Sequence, residues 1–279
     1  IRSGGAVVRL RLADGSTIAA APATTLSIAD DRIALSGGRI SVQATHRDTT
    51  APMLIATDHG EIAVVGTRFT VSAGAQRTCV AVSEGAVSLR SSDSAVPVAA
   101  GEYGVAAAGG PPVVHRPLIS EAEGVHLDAP MTVVRDVTAS GGAFVETPTA
   151  ETGELRWTFS RPRGGPCRLW ALVRAPDSTN DSFYAAIDGG PESIFDVAES
   201  RWSSRWQWSP VCERIVDQMR PNAITPTRPL IVPLDAGEHT LVLRGREAHT
   251  AVDRLLVTTD LSFDPERDWS EVDGGEPAR

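Results

Sequence analysis

The chain has 279 residues, of which 42% are hydrophobic and 22% are charged. This length suits two ordinary domains, and the globular composition excludes both a largely disordered chain and a coiled coil. The net charge is −9, and the acidic excess lies after residue 110. We therefore exclude nucleic acid and anionic membranes as partners of the second half, because phosphate contacts need clustered cations.

No apolar run reaches the roughly 18 residues that cross a bilayer, so we expect no transmembrane segment. The sequence that starts at Ile1 also lacks the basic and apolar regions of a signal peptide. The three cysteines show no spacing typical of zinc ligands. Cys167 and Cys212 both lie in the second half, where they form either a disulfide or two buried thiols.

Residues 7–105 consist of short β-branched runs separated by turns rich in Gly and Asp. Within the runs, apolar and polar residues alternate with period two, which predicts β-strands. Gly and Asp supply the positive φ angles and Asx-turns that connect such strands. We therefore predict an all-β module over residues 1–107.

A second series of strand-like runs covers residues 118–264, and all six tryptophans follow residue 150. Such clustering is typical of β-sandwich cores and of sugar-binding faces, where aromatic rings stack on sugars. Residues 108–117 are rich in Gly and Pro, so we predict a linker there. The acidic, Gly-rich residues 265–279 are predicted to form a solvated tail.

Five motifs follow one another in the first module: LADGS (12–16), LSGGRI (35–40), GTRFTV (66–71), VAVSEGAV (80–87) and AAGE (99–102). In this order they resemble the FecR family of periplasmic sensor domains. The resemblance implies a periplasmic β-domain that relays a surface signal to an anti-sigma element. In physical terms, the turn at Gly66 should direct Phe69 and Val71 into a core, and Glu84-Gly85 should form a hairpin between two strands.

The second module carries another ordered set of motifs: ISEAE (119–123), ASGGAFV (139–145), LWALVRAP (169–176), DSFY (181–184), IDGG (187–190), WQW (206–208), LDAGEHT (234–240) and VDRLL (252–256). With these motifs it resembles carbohydrate-binding modules of families 6 and 35, which are galactose-binding-like jelly rolls. Together, the two resemblances imply an all-β chain in which a FecR-like β-domain is followed by a jelly-roll β-sandwich.

The second resemblance implies a structural calcium site at Glu121, Glu123 and Asp253. A hard cation prefers several oxygen ligands, and such a site would attach the first strand of the module to the last. The alternative is that the glutamates pair with arginines on the sheet surface. No other cofactor is expected.

Aromatic residues of the second module offer a candidate sugar platform. Trp206 and Trp208 are two positions apart on one predicted strand, so they should share a face, although such a pair also fills sandwich cores. Trp202 lies in a polar run and is expected to be exposed, whereas Trp170 and Phe183 are expected in the core. The complete set of candidate ligand-binding residues is Trp202, Trp206, Trp208, Arg205, Tyr184 and Asp188.

The sequence contains no catalytic motif that we recognise, so we expect no enzyme activity. The leading hypothesis is a periplasmic or extracellular protein whose jelly roll binds a polysaccharide, a cell-surface glycan or another envelope component. Under this hypothesis, the FecR-like domain presents the jelly roll or couples it to a signal. One alternative is a surface or filament subunit that self-associates through strand edges. Another is a FecR-type regulator of an anti-sigma pathway.

Overall fold

The computed structural model describes residues 1–30, 32–48, 50–197, 201–215 and 227–272. The chain forms two compact units: unit 1 comprises Ile1–Arg116 together with Phe263–Arg279, and unit 2 comprises Pro117–Ser262. In both units the regular secondary structure of the described residues is almost entirely β-strand, which confirms the predicted all-β fold. Within the described ranges, no helix has the length and apolarity needed to span a bilayer.

Unit 1 contains twelve strands and one short helix in its described part. They are β1 (Val8–Arg11), β2 (Thr17–Ala20), β3 (Thr25–Ala29), β4 (Arg32–Gln43), β5 (Met53–Ala56), β6 (Glu61–Val64), β7 (Arg68–Ala73), β8 (Arg77–Glu84), β9 (Ala86–Ser91), β10 (Ser94–Ala99), β11 (Tyr103–Ala107), β12 (Val113–His115) and α1 (Pro265–Asp268). Most of these strands coincide with the period-two runs of the sequence.

The strands of unit 1 follow the order β10-β9-β6-β5-β4-β7-β8-β11-β12, with β2 and β3 also paired to β4 and β1 paired to β2. The long strand β4 connects the two parts of this sheet. Its first residues pair in parallel with β5, whereas Gly38 and the residues after it pair antiparallel with β7. The two parts enclose one core, which contains Phe69 and Val71 as predicted.

The predicted hairpin at Glu84-Gly85 is wrong. Strand β8 pairs with β7 and β11, whereas β9 pairs with β6 and β10, so the two strands that flank Gly85 are not hydrogen-bonded to each other. Gly85 has a φ of 80° and instead directs the chain from one part of the sheet to the other. Val82 and Val87, on either side of the turn, both lie in the core of unit 1.

Two predicted boundaries also change. Val113–His115, which we assigned to a linker, form strand β12 against β11, with His115 opposite Tyr103. The predicted solvated tail is wrong for its described part, because the chain returns to unit 1 after unit 2 and buries Phe263, Trp269 and Val272 there. The sequence after residue 272 lies outside the described residues.

The described part of unit 2 contains fourteen strands. They are β13 (Leu118–Glu121), β14 (His126–Asp128), β15 (Thr132–Arg135), β16 (Ala143–Glu146), β17 (Glu154–Arg161), β18 (Gly165–Ala175), β19 (Ser182–Ile187), β20 (Ser193–Asp196), β21 (Ser203–Pro210), β22 (Cys212–Arg214), β23 (Thr227–Pro229), β24 (Ile231–Leu234), β25 (Gly237–Gly245) and β26 (Ala251–Thr258).

Unit 2 is a β-sandwich, as predicted. One sheet has the order β15-β16-β26-β18-β21, with β13 added to β26 and β24 to β18, and the other has the order β14-β17-β25-β19-β20. Alternate residues of β17 and β18, among them Trp157 and Leu169, meet in the core between the sheets. Phe183 lies in this core, as expected, and Cys167 and Cys212 are buried there as thiols rather than as a disulfide.

Candidate functional site

Three carboxylates converge where the first and last strands of unit 2 lie side by side. Strand β13 pairs antiparallel with β26, which sets Glu121 opposite Arg254. Glu123 follows in a 3₁₀ turn, Ala122–Gly124, that is anchored by the fully buried Ala122. Asp253 lies at a register shift between β26 and β18, and such bulges re-aim a side chain.

The three side chains each offer an oxygen within 4.8 Å of the other two. Asp253 is fully buried, and its Oδ2 accepts a 2.8 Å hydrogen bond from the backbone N–H of Ser140. Glu121 accepts a 3.0 Å bond from the Ser140 hydroxyl and pairs with Arg254 at 2.7 Å. Burial, reinforced by the neighbouring Glu121 and Glu123, raises the pKa of Asp253 to about 7.

These residues suit a hard divalent cation such as calcium. Among the described residues, Glu121 Oε2 and Asp253 Oδ1 are buried without a hydrogen-bond partner, which is costly unless a cation compensates. Oxygens that surround Ca²⁺ at about 2.4 Å lie within roughly 4.8 Å of one another, as these do. The backbone also approaches closely, because a Cβ on Gly141 would lie 2.9 Å from Glu123 Oε1.

The predicted tryptophan pair does share one face of β21, but this face is not an open platform. Trp208 lies opposite Leu172 of β18 and is only 4% exposed, so its assignment as a surface ligand contact is corrected. Trp206 packs edge-on against Phe144, with ring centroids 5.3 Å apart, and Arg174 stacks on it at 4.6 Å. Trp170 was expected in the core, but it is buried on this same face instead, because the side chains of β18 alternate and Leu169 and Ala171 are the ones that enter the sandwich core.

Tyr184 and Asp188 belong to the other sheet of unit 2. Arg244 stacks on the Tyr184 ring at 4.1 Å. Asp188 follows β19 with a φ of 52° and accepts hydrogen bonds from His239 and from the backbone of Thr240, which is a structural role in a turn. The structure does not bring the six predicted residues together.

Trp202 lies in a different polar cluster, beside the start of β19. Its side chain is 42% exposed, and its Nε1 donates a 2.6 Å hydrogen bond to Oδ2 of the nearly buried Asp181. The backbone N–H of Asp181 in turn donates to Glu247 at 2.9 Å, and Arg246 pairs with Glu247 at 2.6 Å. We call Trp202, Asp181, Arg246 and Glu247 the Trp202 cluster.

The electrostatics of the Trp202 cluster differ from those of an ordinary surface pair. Burial and the nearby Glu247 raise the pKa of Asp181 to about 6. Burial would also raise the pKa of Glu247, but the backbone hydrogen bond from Asp181 and the charge of Arg246 keep it lowered. The cluster therefore presents an exposed indole whose edge is fixed by a buried carboxylate.

Asp188 is remote from this cluster. Asp181 and Asp188 flank the two ends of β19, and seven residues of extended chain span roughly 23 Å. Sequence reasoning selected Trp202 but missed its partner Asp181. Two features of the sequence could have indicated Asp181. The DSFY motif places this carboxylate directly before strand β19, and the charged pair Arg246-Glu247 directly follows strand β25.

Residues 1–88 match the model of the family described as "FecR protein". No curated protein sequence matches the chain significantly. Among solved structures, one similar chain is described as an anti-sigma factor from Parabacteroides distasonis, with 19% identity and a TM-score of 0.36. The match covers 41% of this chain and 57% of that one.

A family 35 carbohydrate-binding module from Clostridium thermocellum is also similar, at 18% identity and a TM-score of 0.40, over 51% of this chain and 98% of the module. An exo-β-1,3-galactanase from Phanerochaete chrysosporium matches at 13% identity and a TM-score of 0.43, over 90% of this chain and 56% of the enzyme. Residues 1–88 are thus similar to the FecR family, and the chain is also similar, at low identity, to a family 35 carbohydrate-binding module.

Proposed function

We propose that this protein is a non-catalytic extracytoplasmic protein that binds a glycan or another envelope component through unit 2. The observation that carries this proposal is the geometry of Trp202. An exposed indole that is hydrogen-bonded to a buried carboxylate loses little freedom when it stacks on a sugar, and its polar neighbours can hydrogen-bond hydroxyl groups. The ligand surface is therefore the Trp202 cluster rather than the six-residue platform of the sequence prediction.

We further propose that the carboxylates Glu121, Glu123 and Asp253 bind calcium. The cation would neutralise their charge and attach β13 to β26, so its role would be structural. Two buried carboxylate oxygens without hydrogen-bond partners among the described residues support this assignment. The Trp202 cluster shares no residue with this carboxylate trio.

Unit 1 would present unit 2 or couple its occupancy to a signal. The FecR match over residues 1–88 favours this role and also supports the second candidate, a regulator that acts on an anti-sigma partner. The filament hypothesis finds less support in unit 1. Two of the edge strands there are poor partners: β12 has only three residues, and β10 carries Pro97, a residue that protects edge strands from pairing.

The test is affinity electrophoresis of the full chain in gels that contain soluble polysaccharides, preceded by a glycan array. We expect at least one glycan to retard the wild-type protein. Trp202→Ala should weaken binding about tenfold or more, since a stacked aromatic contributes roughly 1–3 kcal/mol to binding. Trp202→Phe, which keeps a ring but loses the Asp181 bond, should fall between the two.

Val133→Ala is the matched control, because Val133 is 45% exposed on β15 and belongs to no candidate site. It should bind as the wild type does. An array without a single bound glycan would contradict a glycan as the ligand, and equal affinity of the wild type and Trp202→Ala for a glycan that does bind would contradict the Trp202 cluster as the ligand surface.

A further inference from the structure

The described chain after unit 2 is a distinct element of unit 1. Residues 263–272, which we call the strap, follow β26 and pack on the strands of unit 1 that precede unit 2 in the sequence. Despite the acidic sequence, Phe263 is 0%, Asp268 1% and Trp269 8% exposed. A solvated tail would not bury a phenylalanine, a tryptophan and a carboxylate, so this contact is specific.

An aromatic stack forms the first part of the contact. Tyr103 of β11 is fully buried between His115 of β12, at a centroid distance of 5.0 Å, and Phe263 of the strap, at 4.2 Å. Trp269 meets the Tyr103 ring edge-on at 6.2 Å. Offset-stacked and edge-to-face rings are the favoured geometries of aromatic pairs. Tyr103 therefore contacts both aromatic side chains of the strap, Phe263 and Trp269.

A buried carboxylate forms the second part. Asp268 accepts a 2.8 Å hydrogen bond from the Ser72 hydroxyl of β7 and pairs with the Arg77 guanidinium of β8 at 2.5 Å. Charge-assisted bonds of this kind are stronger than neutral ones, and they require an acid at one position of the ligand. The contact thus selects a carboxylate as well as aromatic rings.

The strap is attached by side chains and adds no strand to the sheet. Arg39 donates to the Glu266 carbonyl, and the Ser41 hydroxyl accepts a 2.8 Å bond from the Val272 N–H. Within the strap, Asp264 caps the single turn α1 by accepting from the N–H of Glu266 at 3.0 Å. A segment that keeps its own local structure and takes no part in strand pairing can separate without breaking the sheet.

From these contacts we infer that β7, β8 and β11 of unit 1 form a peptide-binding site, which the strap fills as a detachable ligand in cis. Its ligand class is a short peptide that carries two aromatic side chains around a carboxylate. The tether through unit 2 keeps the local concentration of the strap high, so it stays docked unless its contacts weaken. Release would expose Tyr103, Ser72 and Arg77 together.

Cys79 reports on docking, because its buried Sγ lies 4.0 Å from the Asp268 carbonyl of the strap. The experiment is timed thiol alkylation of the full chain, followed by cleavage at arginine, which puts each cysteine on a separate peptide. In Asp268→Asn and in Trp269→Ala we expect alkylation of Cys79 to accelerate about tenfold, equivalent to about 1.4 kcal/mol of docking free energy. Cys167 and Cys212 of unit 2 should react at wild-type rates.

A synthetic peptide of residues 262–273 should then restore the protection of Cys79 in Asp268→Asn when it is added in trans. The same peptide with Asp268→Asn should not, and Arg77→Ala on the binding face should abolish rescue by the wild-type peptide. Three results would overturn the inference: unchanged alkylation of Cys79 in both strap variants, simultaneous exposure of all three cysteines, or no protection by the wild-type peptide.

Discussion

At the residue scale, Asp253 shows how burial and charge conflict. Its carboxylate is fully buried beside two glutamates, with the Ser140 N–H as a hydrogen-bond donor. Without a cation, the ionised form is disfavoured, as the raised pKa of Asp253 indicates. With a cation bound, the same carboxylate would become a ligand. A substitution of Asp253 should therefore affect the stability of unit 2 in opposite directions with and without a bound cation.

We predict that Asp253→Asn removes the stabilisation of unit 2 by calcium. At a calcium concentration 100 times Kd, the wild type should gain about 2.7 kcal/mol, whereas the variant should gain almost nothing. In chelator the variant should be at least as stable as the wild type, because asparagine fits the site without a buried charge. The measurement is thermal unfolding in calcium and in chelator.

Glu192→Gln provides the control, since Glu192 is an exposed partner of Arg244 on the other sheet. It should keep the calcium response. If the wild type gains no stability from calcium, or if Asp253→Asn gains as much, the calcium assignment fails.

The sequence identified this carboxylate trio because an ordered family resemblance assigned each residue. It did not identify the partnership of Trp202 with Asp181, since the two residues lie on separate segments and meet only in the folded sandwich. It also grouped Trp208 with exposed residues. Alternation tells which residues share a face of a strand, but only packing decides whether that face is open.

At the element scale, strand β4 depends on one glycine. Gly38 has a φ of 97°, and a Cβ there would lie 2.6 Å from the Cα of Thr24. This close approach lets one strand pair with β5 in its first half and with β7 in its second. The neighbouring Gly37 has open space around its Cα and a φ outside the left-handed region.

We predict that Gly38→Ala destabilises unit 1 by about 2–4 kcal/mol, through backbone strain together with a steric clash. Gly37→Ala is the matched control and should change stability by less than about 1 kcal/mol. Hydrogen–deuterium exchange of the β4 and β7 amides measures the effect within unit 1. Equal exchange rates in the two variants would contradict this account of the bend.

The period-two runs predicted most strands, but they could not predict which strands pair. We assigned a hairpin at Glu84-Gly85 because both flanking segments are valine-rich and the turn is short. In the structure these segments face each other across the core. Strand pairing and face-to-face packing require the same alternation, so local sequence does not distinguish them.

At the scale of the whole molecule, unit 2 is inserted between two parts of unit 1. The entry strand β13 and the exit strand β26 pair side by side, so the chain enters and leaves unit 2 at one place. Each unit has its own core. The carboxylate trio lies on these two strands and on the 3₁₀ turn that follows β13, so any stabilisation by a metal would act on unit 2.

We predict that calorimetry of the full chain resolves two unfolding transitions, since two separate cores generally unfold as separate cooperative units. Calcium should raise only the transition of unit 2, and Gly38→Ala should lower only that of unit 1. A single transition that responds to both perturbations would show that the two units unfold together.

The sequence by itself determined the all-β class, the division into two modules, the FecR-like first module and the residues of the carboxylate trio. The first three features follow from alternation, turn residues and ordered motifs, whereas the trio was identified through the resemblance to a family. Only the tertiary structure decided that the chain closes unit 1 with its strap, that Trp202 is fixed by Asp181 and that Trp208 is buried. Each of these three features depends on contacts between residues that are far apart in the chain, such as the ion pair of Arg77 with Asp268. Local composition does not encode such contacts, which is why it predicted a solvated tail at residues 265–279.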